Sequence, residues 1–407
     1  MGKRIGYVVA RFPVLSETFV VNEIDEIRRQ GARVEVFPLL GSPDPIAHVA
    51  GQRIAAGAHY VRAASAVAAQ FHWLFRRPRG YARAWARGLR GQGLRIRDLA
   101  AATIVIPLAA AHARNAERLA IDHIHAHFAT HAALAAFVIR ELTGIPFSVT
   151  AHSHDLTSRT AMLAEKLEAA SAVVVISSYY RTHVCRLLGA GAAGRVHVVR
   201  CGVDTRALRP ASRAAARERE GAPLTVIAPG RLVPMKGQRF LVEAAAALRR
   251  QGVRIRVVLA GHGPLGPELR DRAAALGIAE DVTLTGALEH RRMLAAIAAA
   301  DIACLPSIVT PSGEQEGIPV ALMEAMALGV PVVSTRTSGI SELVRDGLTG
   351  LLVPPGDVGA LALAIRRLVD DPGLRERLGR AGREAVERDY DLATNTGRLR
   401  ELIEALP

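Results

Sequence analysis

The sequence predicts an α/β protein built from two doubly wound, Rossmann-like domains, and three observations carry that reading. The chain has 407 residues, more than one ordinary core supports. Short β-branched runs alternate with helical patterns from end to end. A stretch from Arg200 to Gly221, with Gly202, Pro210 and alternating charges but no apolar periodicity, parts the runs into two sets and reads as a linker with an exposed helix.

The first set of expected strands is Arg4–Ala10, Arg33–Leu39, His123–Phe128, Phe147–His152, Ala172–Ser177 and Val196–Val199. The second is Leu224–Gly230, Arg254–Gly261, Val282–Gly286, Ile302–Pro306, Val330–Thr335 and Gly350–Val353. Domains of 1–205 and 206–390 follow, with a C-terminal helix in 391–407 expected to pack back toward the N-terminal domain. Ligands of such folds bind beyond the carboxyl ends of the strands, so the two domains should face each other across a cleft.

Composition places the chain among ordinary globular proteins, 50% hydrophobic and 22% charged. Cys185, Cys201 and Cys304 form no disulfide framework and read as reduced thiols of a cytoplasmic protein. The apolar run in Met1–Ala10 is too short for a secretory signal, and Leu99–Ala111, interrupted by Pro107, is too short to span a bilayer.

The net charge of +14 is uneven: residues 1–205 carry 25 Lys+Arg against 14 Asp+Glu, and 206–407 carry 27 against 24. Between Phe71 and Ala100, Arg76, Arg77, Arg79, Arg83, Arg87, Arg90, Arg95 and Arg97 face only Asp98, with Phe71, Trp73, Phe75, Tyr81 and Trp85 interleaved. That pattern suits an anionic membrane surface, and equally a solvated arginine-rich helical insertion. A nucleic-acid role is disfavoured, because no recognition motif is present and aromatic residues are 4% of the chain.

Three loops of the second half carry candidate chemistry. Gly230, Arg231 and Lys236 follow a strand, and their two cations suit a diphosphate. Glu316–Gly317–Ile318–Pro319 opens a helix that holds Glu324; Pro319 suits a first turn, and free amides there suit sugar hydroxyls or phosphate. The two glutamates are better placed to accept from a polyol than to act as a hydrolytic pair. Thr335–Leu343 opens another helix with small residues.

In order and context, Gly230–Pro355 resembles glycosyltransferase family 4, retaining enzymes of the GT-B fold. The match includes Arg231, Lys236, Gly261, Gly263, Asp301, Pro306–Ser307, Glu316, Glu324 and Gly339–Glu342. The resemblance implies a nucleotide-sugar donor. Arg231 and Lys236 would neutralise its diphosphate, Glu324 would hold the ribose, and Glu316 with Gly317, Ile318 and Pro319 would hold the sugar. Leu288 joins that donor set.

The first half is similar to a branch of the same family found among bacterial exopolysaccharide-building enzymes, through Arg11–Phe19 and His123–Phe128. The glycine pair that many members carry in the first loop is missing; Ser16 and Thr18 would offer hydroxyl and amide donors there instead, to the diphosphate or to the acceptor, with Ser16 set on the donor side. Thr150–Asp155 resembles the loop that places a histidine, here His152, against the donor sugar. Glu17, Thr18, His127 and Asp155 fall on the acceptor side, where a saccharide or lipid-linked saccharide is expected.

His123, His125, His127 and His131 invite a zinc reading, but a spacing of two with no cysteine is not the structural-zinc pattern. No metal or other cofactor is expected. A soluble acceptor, and a sugar-nucleotide epimerase on the same scaffold, remain alternatives.

Overall fold

The structure, a computed structural model, describes residues 2–14, 17–42, 49–93, 96–158, 160–210 and 222–407. It divides into two compact units, Met1–Arg200 with Ala393–Pro407, and Cys201–Leu392.

Each unit is built on one six-stranded sheet. In the first, β1 (Arg4–Phe12), β2 (Arg33–Gly41), β3 (His123–His127), β4 (Phe147–Ala151), β5 (Ala172–Val175) and β6 (Val196–Val198) lie in the order β2-β1-β3-β4-β5-β6. In the second, β7 (Leu224–Pro229), β8 (Ile255–Ala260), β9 (Val282–Gly286), β10 (Ile302–Leu305), β11 (Val332–Thr335) and β12 (Leu351–Val353) lie in the order β12-β11-β10-β7-β8-β9. Every neighbouring pair is parallel.

The strands fall on the twelve expected runs, and their ends shift for local reasons. β1 continues past Ala10 because Arg11 and Phe12 still pair with Leu40 and Gly41 of β2. β11 starts at Val332, after Pro331, which has no N–H to give to a ladder. Both sheets are covered on both faces, so central strands read as unbroken buried runs; all five residues of β3 and of β4 are buried.

Strand order fixes where each sheet leaves a crevice. The direction of winding reverses between β1 and β3 in the first sheet, and between β7 and β10 in the second. Helices after the two diverging strands then lie on opposite faces, and the carboxyl ends at that point are left uncovered. The loops after β1, β3, β7 and β10 start there.

The arginine-rich segment folds mainly as two helices, Ala63–Arg76 and Pro78–Arg90. This removes Trp73, though not Trp85, from the aromatic set of the interfacial reading. Trp73 is fully buried and its Nε1 donates to Ala110 O at 2.8 Å, while Trp85 is half-buried with Nε1 3.3 Å from Gln70 Oε1. The apolar run Leu99–Ala111 also lies within a longer element than expected. Helix Ile96–Arg118 has 23 residues and is long and apolar enough to cross a membrane by length and composition. Half of its apolar window is buried within the fold.

Residues 201–210 form turns, and Val203 bridges Asp391. The helix expected toward Gly221 falls on 211–221, outside the described residues. Helix Leu392–Ala405 returns to the first unit, where Leu399 and Ile403 join Ile5, Tyr7, Ile24 and Val36 in one core cluster. Replacing Ile403 with Ala removes methyl groups from a fully buried position and should lower stability by about 2–5 kcal/mol. A fall in the urea midpoint measures it; an unchanged midpoint would detach this helix from the core.

Candidate functional site

At the switch point of the second unit, backbone packs directly on backbone. The loop after β7 begins at Gly230, φ +136°, and the turn after β8 lies against it. Gly230 N donates to Ala260 O at 2.9 Å, Leu232 N to His262 O at 2.9 Å, and Leu265 N to Leu232 O at 3.2 Å. A Cβ on Gly261 would stand 2.0 Å from Gly230 O, and one on Gly263 would stand 2.3 Å from Leu232 O. These glycines therefore position the Arg231 loop by admitting a contact that no side chain allows.

The two cations of that loop are used differently. Arg231 is held through its backbone, whose carbonyl accepts from Gln238 Nε2 at 2.8 Å, while its guanidinium is exposed and makes no hydrogen bond or ion pair among the described residues. Lys236 turns inward, and its Nζ lies 2.9 Å from Glu316 Oε2 with both side chains mostly buried. The loop after β11 holds the other side of Glu316. Ser338 Oγ donates to Glu316 O at 2.5 Å and lies 3.3 Å from Gly317 O, on a backbone with φ +43°.

Loops following β7 and β11 thus converge on Glu316 in the loop after β10, the first through its carboxylate and the second through its backbone carbonyl. Pro319 stands just before helix Val320–Ala327, and its carbonyl accepts from Leu322 N at 3.0 Å. The side chain of Ile318 belongs to the core, which leaves its backbone as the part available to a ligand. Leu288 is half-buried against the same core cluster. Glu324, on the helix, is 2.8 Å from Nε2 of His290, a partner 34 positions away that no sequence spacing announces. Burial alone would lower the His290 pKa, but the hydrogen bond and charge of Glu324, with Glu289, carry it above the ordinary value.

In the first unit the expected residues gather around β3 and β4. Ser16 lies outside the described residues; Glu17 and Thr18 are half-buried where helix Thr18–Arg29 begins. His152 follows β4, mostly buried, with Phe19 and Phe128 rings 5.1 and 4.8 Å from its own. Burial, and then His127, hold its imidazole well below the ordinary pKa.

Two acceptor-side assignments are corrected. Asp155 is fully buried, and its oxygens accept from His152 N at 2.7 Å and from Ala129 N, so it shapes the loop and cannot line a cleft. Burial raises its pKa to about 7, against the pull of the amides of Ala129, His152 and Asp155 and of His127. His127 is buried too. Its Nε2 is 2.9 Å from His152 Nε2, and its Nδ1 is 3.2 Å from Glu23 Oε1. Glu23 escaped the sequence reading because a glutamate in an amphipathic helix carries no local signal.

Glu23, His125 and His127 place possible metal-ligating atoms within 4.8 Å of one another. His125, however, has Nδ1 2.8 Å from Ser148 Oγ and Nε2 2.9 Å from Thr150 Oγ1, so both nitrogens are engaged by hydroxyls. Ser148 Oγ also meets His123 Nε2 at 2.9 Å. Burial together with Lys3 lowers the His123 pKa to about 3, and burial with His127 and His123 lowers that of His125 well below its ordinary value. His123 and His125 are thus neutral members of a hydrogen-bonded row.

Two outcomes follow from this geometry. Gly261→Ala adds positive-φ strain to a backbone collision and should cost about 3 kcal/mol, read from the unfolding midpoint. The His290–Glu324 contact favours protonated His290 in the native state. Its contribution is fully present below the ordinary histidine pKa and is lost as pH rises through the raised one. The stability gap between wild type and His290→Asn should therefore narrow from pH 6 to pH 9; a constant gap would remove the charge from this contact.

Comparison with known proteins agrees with this arrangement. Residues 16–207 match the family model described as Glycosyltransferase Family 4, and residues 211–385 match Glycosyl transferases group 1. The chain is 31% identical to WcaL of Escherichia coli K12, a glycosyltransferase named for colanic acid biosynthesis, over 99% of this chain and 100% of that one. It is 29% identical to the amylovoran biosynthesis glycosyltransferase AmsK of Erwinia amylovora, with the same coverage. Among solved structures, Anabaena HepE in complex with UDP-glucose superposes with a TM-score of 0.74 at 19% identity, covering 99% of this chain and 100% of that one. Sucrose-phosphate synthase from Thermosynechococcus elongatus gives 0.74 at 22% identity, covering 99% of each. With relatedness over its whole length and two parallel six-stranded sheets of the GT-B fold, the chain belongs to the family 4 glycosyltransferases.

Proposed function

We propose that this protein is a retaining glycosyltransferase of bacterial polysaccharide biosynthesis, moving a sugar from a nucleoside-diphosphate donor to a hydroxyl of a saccharide or lipid-linked saccharide. The observation that carries the reading is the pairing of Lys236 Nζ with Glu316 at 2.9 Å in the same loop as the exposed Arg231 guanidinium, which has no partner among the described residues, at the switch point of the second unit. Names of relatives support the pathway class: WcaL is named for colanic acid and AmsK for amylovoran. The HepE structure with UDP-glucose supports the donor class.

In this mechanism the bond between the sugar's anomeric carbon and the diphosphate oxygen breaks, and the acceptor oxygen bonds to that carbon on the same face. The acceptor proton passes to the departing phosphate oxygen, so no protein nucleophile is required. Arg231 and Lys236 stabilise charge building on the leaving group, and the start of helix Val320–Ala327 presents its backbone to the donor. Glu324 accepts from the ribose hydroxyls, and Glu316 from the sugar. His152 faces the donor sugar. No metal ion takes part in this scheme.

A donor must compete for Lys236 and for Glu324, since each already has a partner. Diphosphate exchanges one anion of Lys236 for another and frees Glu316 to receive sugar hydroxyls. Ribose does the same to the pair of Glu324 and His290. Lys236 and Glu324 are thus each paired before the donor arrives, and Arg231 supplies the excess positive charge.

The enzyme works on the cytoplasmic side of the membrane, and the first unit supplies its contact with anionic lipid. Helix Ala63–Arg76 exposes Val67, Phe71, Leu74 and Phe75, spaced to share a face. Beyond it, a cavity of about 400 Å³ is lined by Arg77, Arg83, Arg87, Arg140, Glu141 and Gly144. Glu141 lies 3.2 Å from Arg83 and 3.3 Å from Arg87, leaving an excess of positive charge for phosphate headgroups.

Turnover is tested with UDP- and GDP-hexoses and membrane extract as acceptor source, in EDTA, following label into solvent-extractable lipid and into water-soluble product. Transfer into lipid is expected; transfer only into soluble product would replace the lipid-linked acceptor, and interconversion of donors without transfer would replace the reaction. Arg231→Ala and Lys236→Ala should each lower kcat by about 100-fold or more. Wild-type rates in both would end the assignment of leaving-group stabilisation. Vesicles containing phosphatidylglycerol should retain the protein at moderate salt, and Phe71→Ser with Phe75→Ser should release it.

A further inference from the structure

The arginine-lined cavity of the first unit lies at the opposite end of its sheet from the crevice. Helix His131–Thr143 starts just beyond the carboxyl end of β3 and stops just before β4 begins at Phe147, so it runs back along the sheet. Its 13 residues span about 20 Å. Arg140, Glu141 and Gly144 stand at its far end, near the amino end of β4, and line the cavity there with Arg77, Arg83 and Arg87. The residues of this unit assigned above to donor and acceptor stand at the carboxyl ends of the strands instead.

Packing fixes the walls of the cavity. Helix Pro78–Arg90 lies so close to the end of helix His131–Thr143 that a Cβ on Gly80 would stand 2.6 Å from Glu141 O. The Glu141 side chain is mostly buried, and its carboxylate lies 3.2 Å from Arg83 Nε and 3.3 Å from Arg87 Nη1. Arg87 Cζ also sits 4.8 Å from the centre of the Phe137 ring. One carboxylate thus orients two guanidinium groups a turn apart on one helix. Arg77 and Arg140 are exposed, and their side chains make no hydrogen bond or ion pair among the described residues.

Charge sets the class of ligand. Four guanidinium groups face one carboxylate and the carbonyl end of a helix, which carries about half a negative charge. A ligand with a single negative charge leaves most of that excess unmatched. A phosphomonoester, whose second pKa is about 6, carries close to two charges and three terminal oxygens at neutral pH. Planar guanidinium forks pair with such oxygens two at a time, and a phosphodiester has only two free oxygens to offer.

We propose that this cavity is a second anion site, which binds a phosphomonoester dianion through Arg77 and Arg140, with Arg83 and Arg87 held in place by Glu141. A lipid headgroup ending in phosphate and a soluble phosphate ester offer the same chemistry. The lipid source rests on the membrane contact proposed above; the site itself does not depend on the transfer reaction.

Binding is measured on the full-length protein at pH 7.5. Sedimentation compares vesicles of phosphatidylcholine containing phosphatidic acid with vesicles containing phosphatidylglycerol, matched for surface charge. Thermal unfolding in inorganic phosphate, against chloride at equal ionic strength, reads the soluble source. The donor loops are unchanged in every variant, so differences between variants report on the cavity. Affinity for phosphatidic acid should exceed that for phosphatidylglycerol by about tenfold. Arg77→Gln with Arg140→Gln breaks no hydrogen bond or ion pair and should erase that preference. Arg79→Gln with Arg90→Gln, an equal loss of charge outside the lining, should keep it. Glu141→Gln should strengthen binding, because the ligand no longer shares Arg83 and Arg87 with a carboxylate.

A preference for phosphatidic acid that follows this pattern assigns the site to a lipid headgroup. Absence of that preference, with a rise in Tm in phosphate that Arg77→Gln with Arg140→Gln abolishes, assigns it to a soluble phosphate ester. Neither effect, or equal losses in the two double variants, would overturn the site and leave a diffuse field of charge. Failure to bind any vesicle would end the membrane contact on its own, and the thermal shift would still decide the site.

Discussion

Backbone meets backbone where the turn after β8 lies on the loop after β7, and that contact sets what the second unit is able to do. Because Gly261 and Gly263 carry no Cβ, the amides and carbonyls of Gly230 and Leu232 are held by hydrogen bonds to the neighbouring turn. A loop fixed in this way needs no support from its side chains. Arg231 is therefore free to point its guanidinium into solvent while its Cα stays in place. Lys236, at the far end of the same loop, is fixed from the other direction by a mostly buried carboxylate.

The fold was legible in the sequence because parallel sheets are buried on both faces. Runs such as Val330–Val333 and Ala172–Ile176 have no alternation to misread, and glycine or proline marks many of their ends. The loops after β7 and β10 were legible for a related reason: glycine, proline and charge concentrate where a strand stops and a ligand could approach. Burial by a neighbour was not legible. Trp73 and Trp85 look like a membrane-seeking pair along the chain, yet Trp73 is inside the protein because Ala110, 37 residues on, offers its carbonyl to the indole. The pairs Lys236 with Glu316 and His290 with Glu324 are 80 and 34 residues apart, so the site's electrostatics appear only once the chain is folded.

The histidines of β3 show the same division between pattern and environment. Alternation predicts that His123, His125 and His127 share a face, and shared faces of histidine suggest metal. What decides is the adjoining strand. β4 sets Ser148 and Thr150 opposite them, and hydroxyls that both donate and accept satisfy imidazole nitrogens without any ion. At the end of the row Thr150 gives way to His152, a ring in place of a hydroxyl, and there the bond joins one imidazole to another. The row thus changes from hydroxyl-satisfied rings to a ring-to-ring contact within a single strand.

Under the proposed function, the second unit places its working groups by letting protein partners stand where substrate groups would act. Glu316 holds Lys236 and His290 holds Glu324, and in that reading a diphosphate would replace the first partner and a ribose the second. An isolated buried charge costs several kcal/mol, so a site with these residues unpaired would be a source of instability or would shift their protonation. Pairing each cation with an anion that itself has a later role removes that cost without adding residues. The consequence is selectivity: a ligand must bring both the anion that displaces Glu316 and the hydroxyls that then satisfy it. Inorganic phosphate brings the first alone and a free sugar the second alone, whereas a nucleotide sugar, the donor class proposed for these loops, carries both on one molecule.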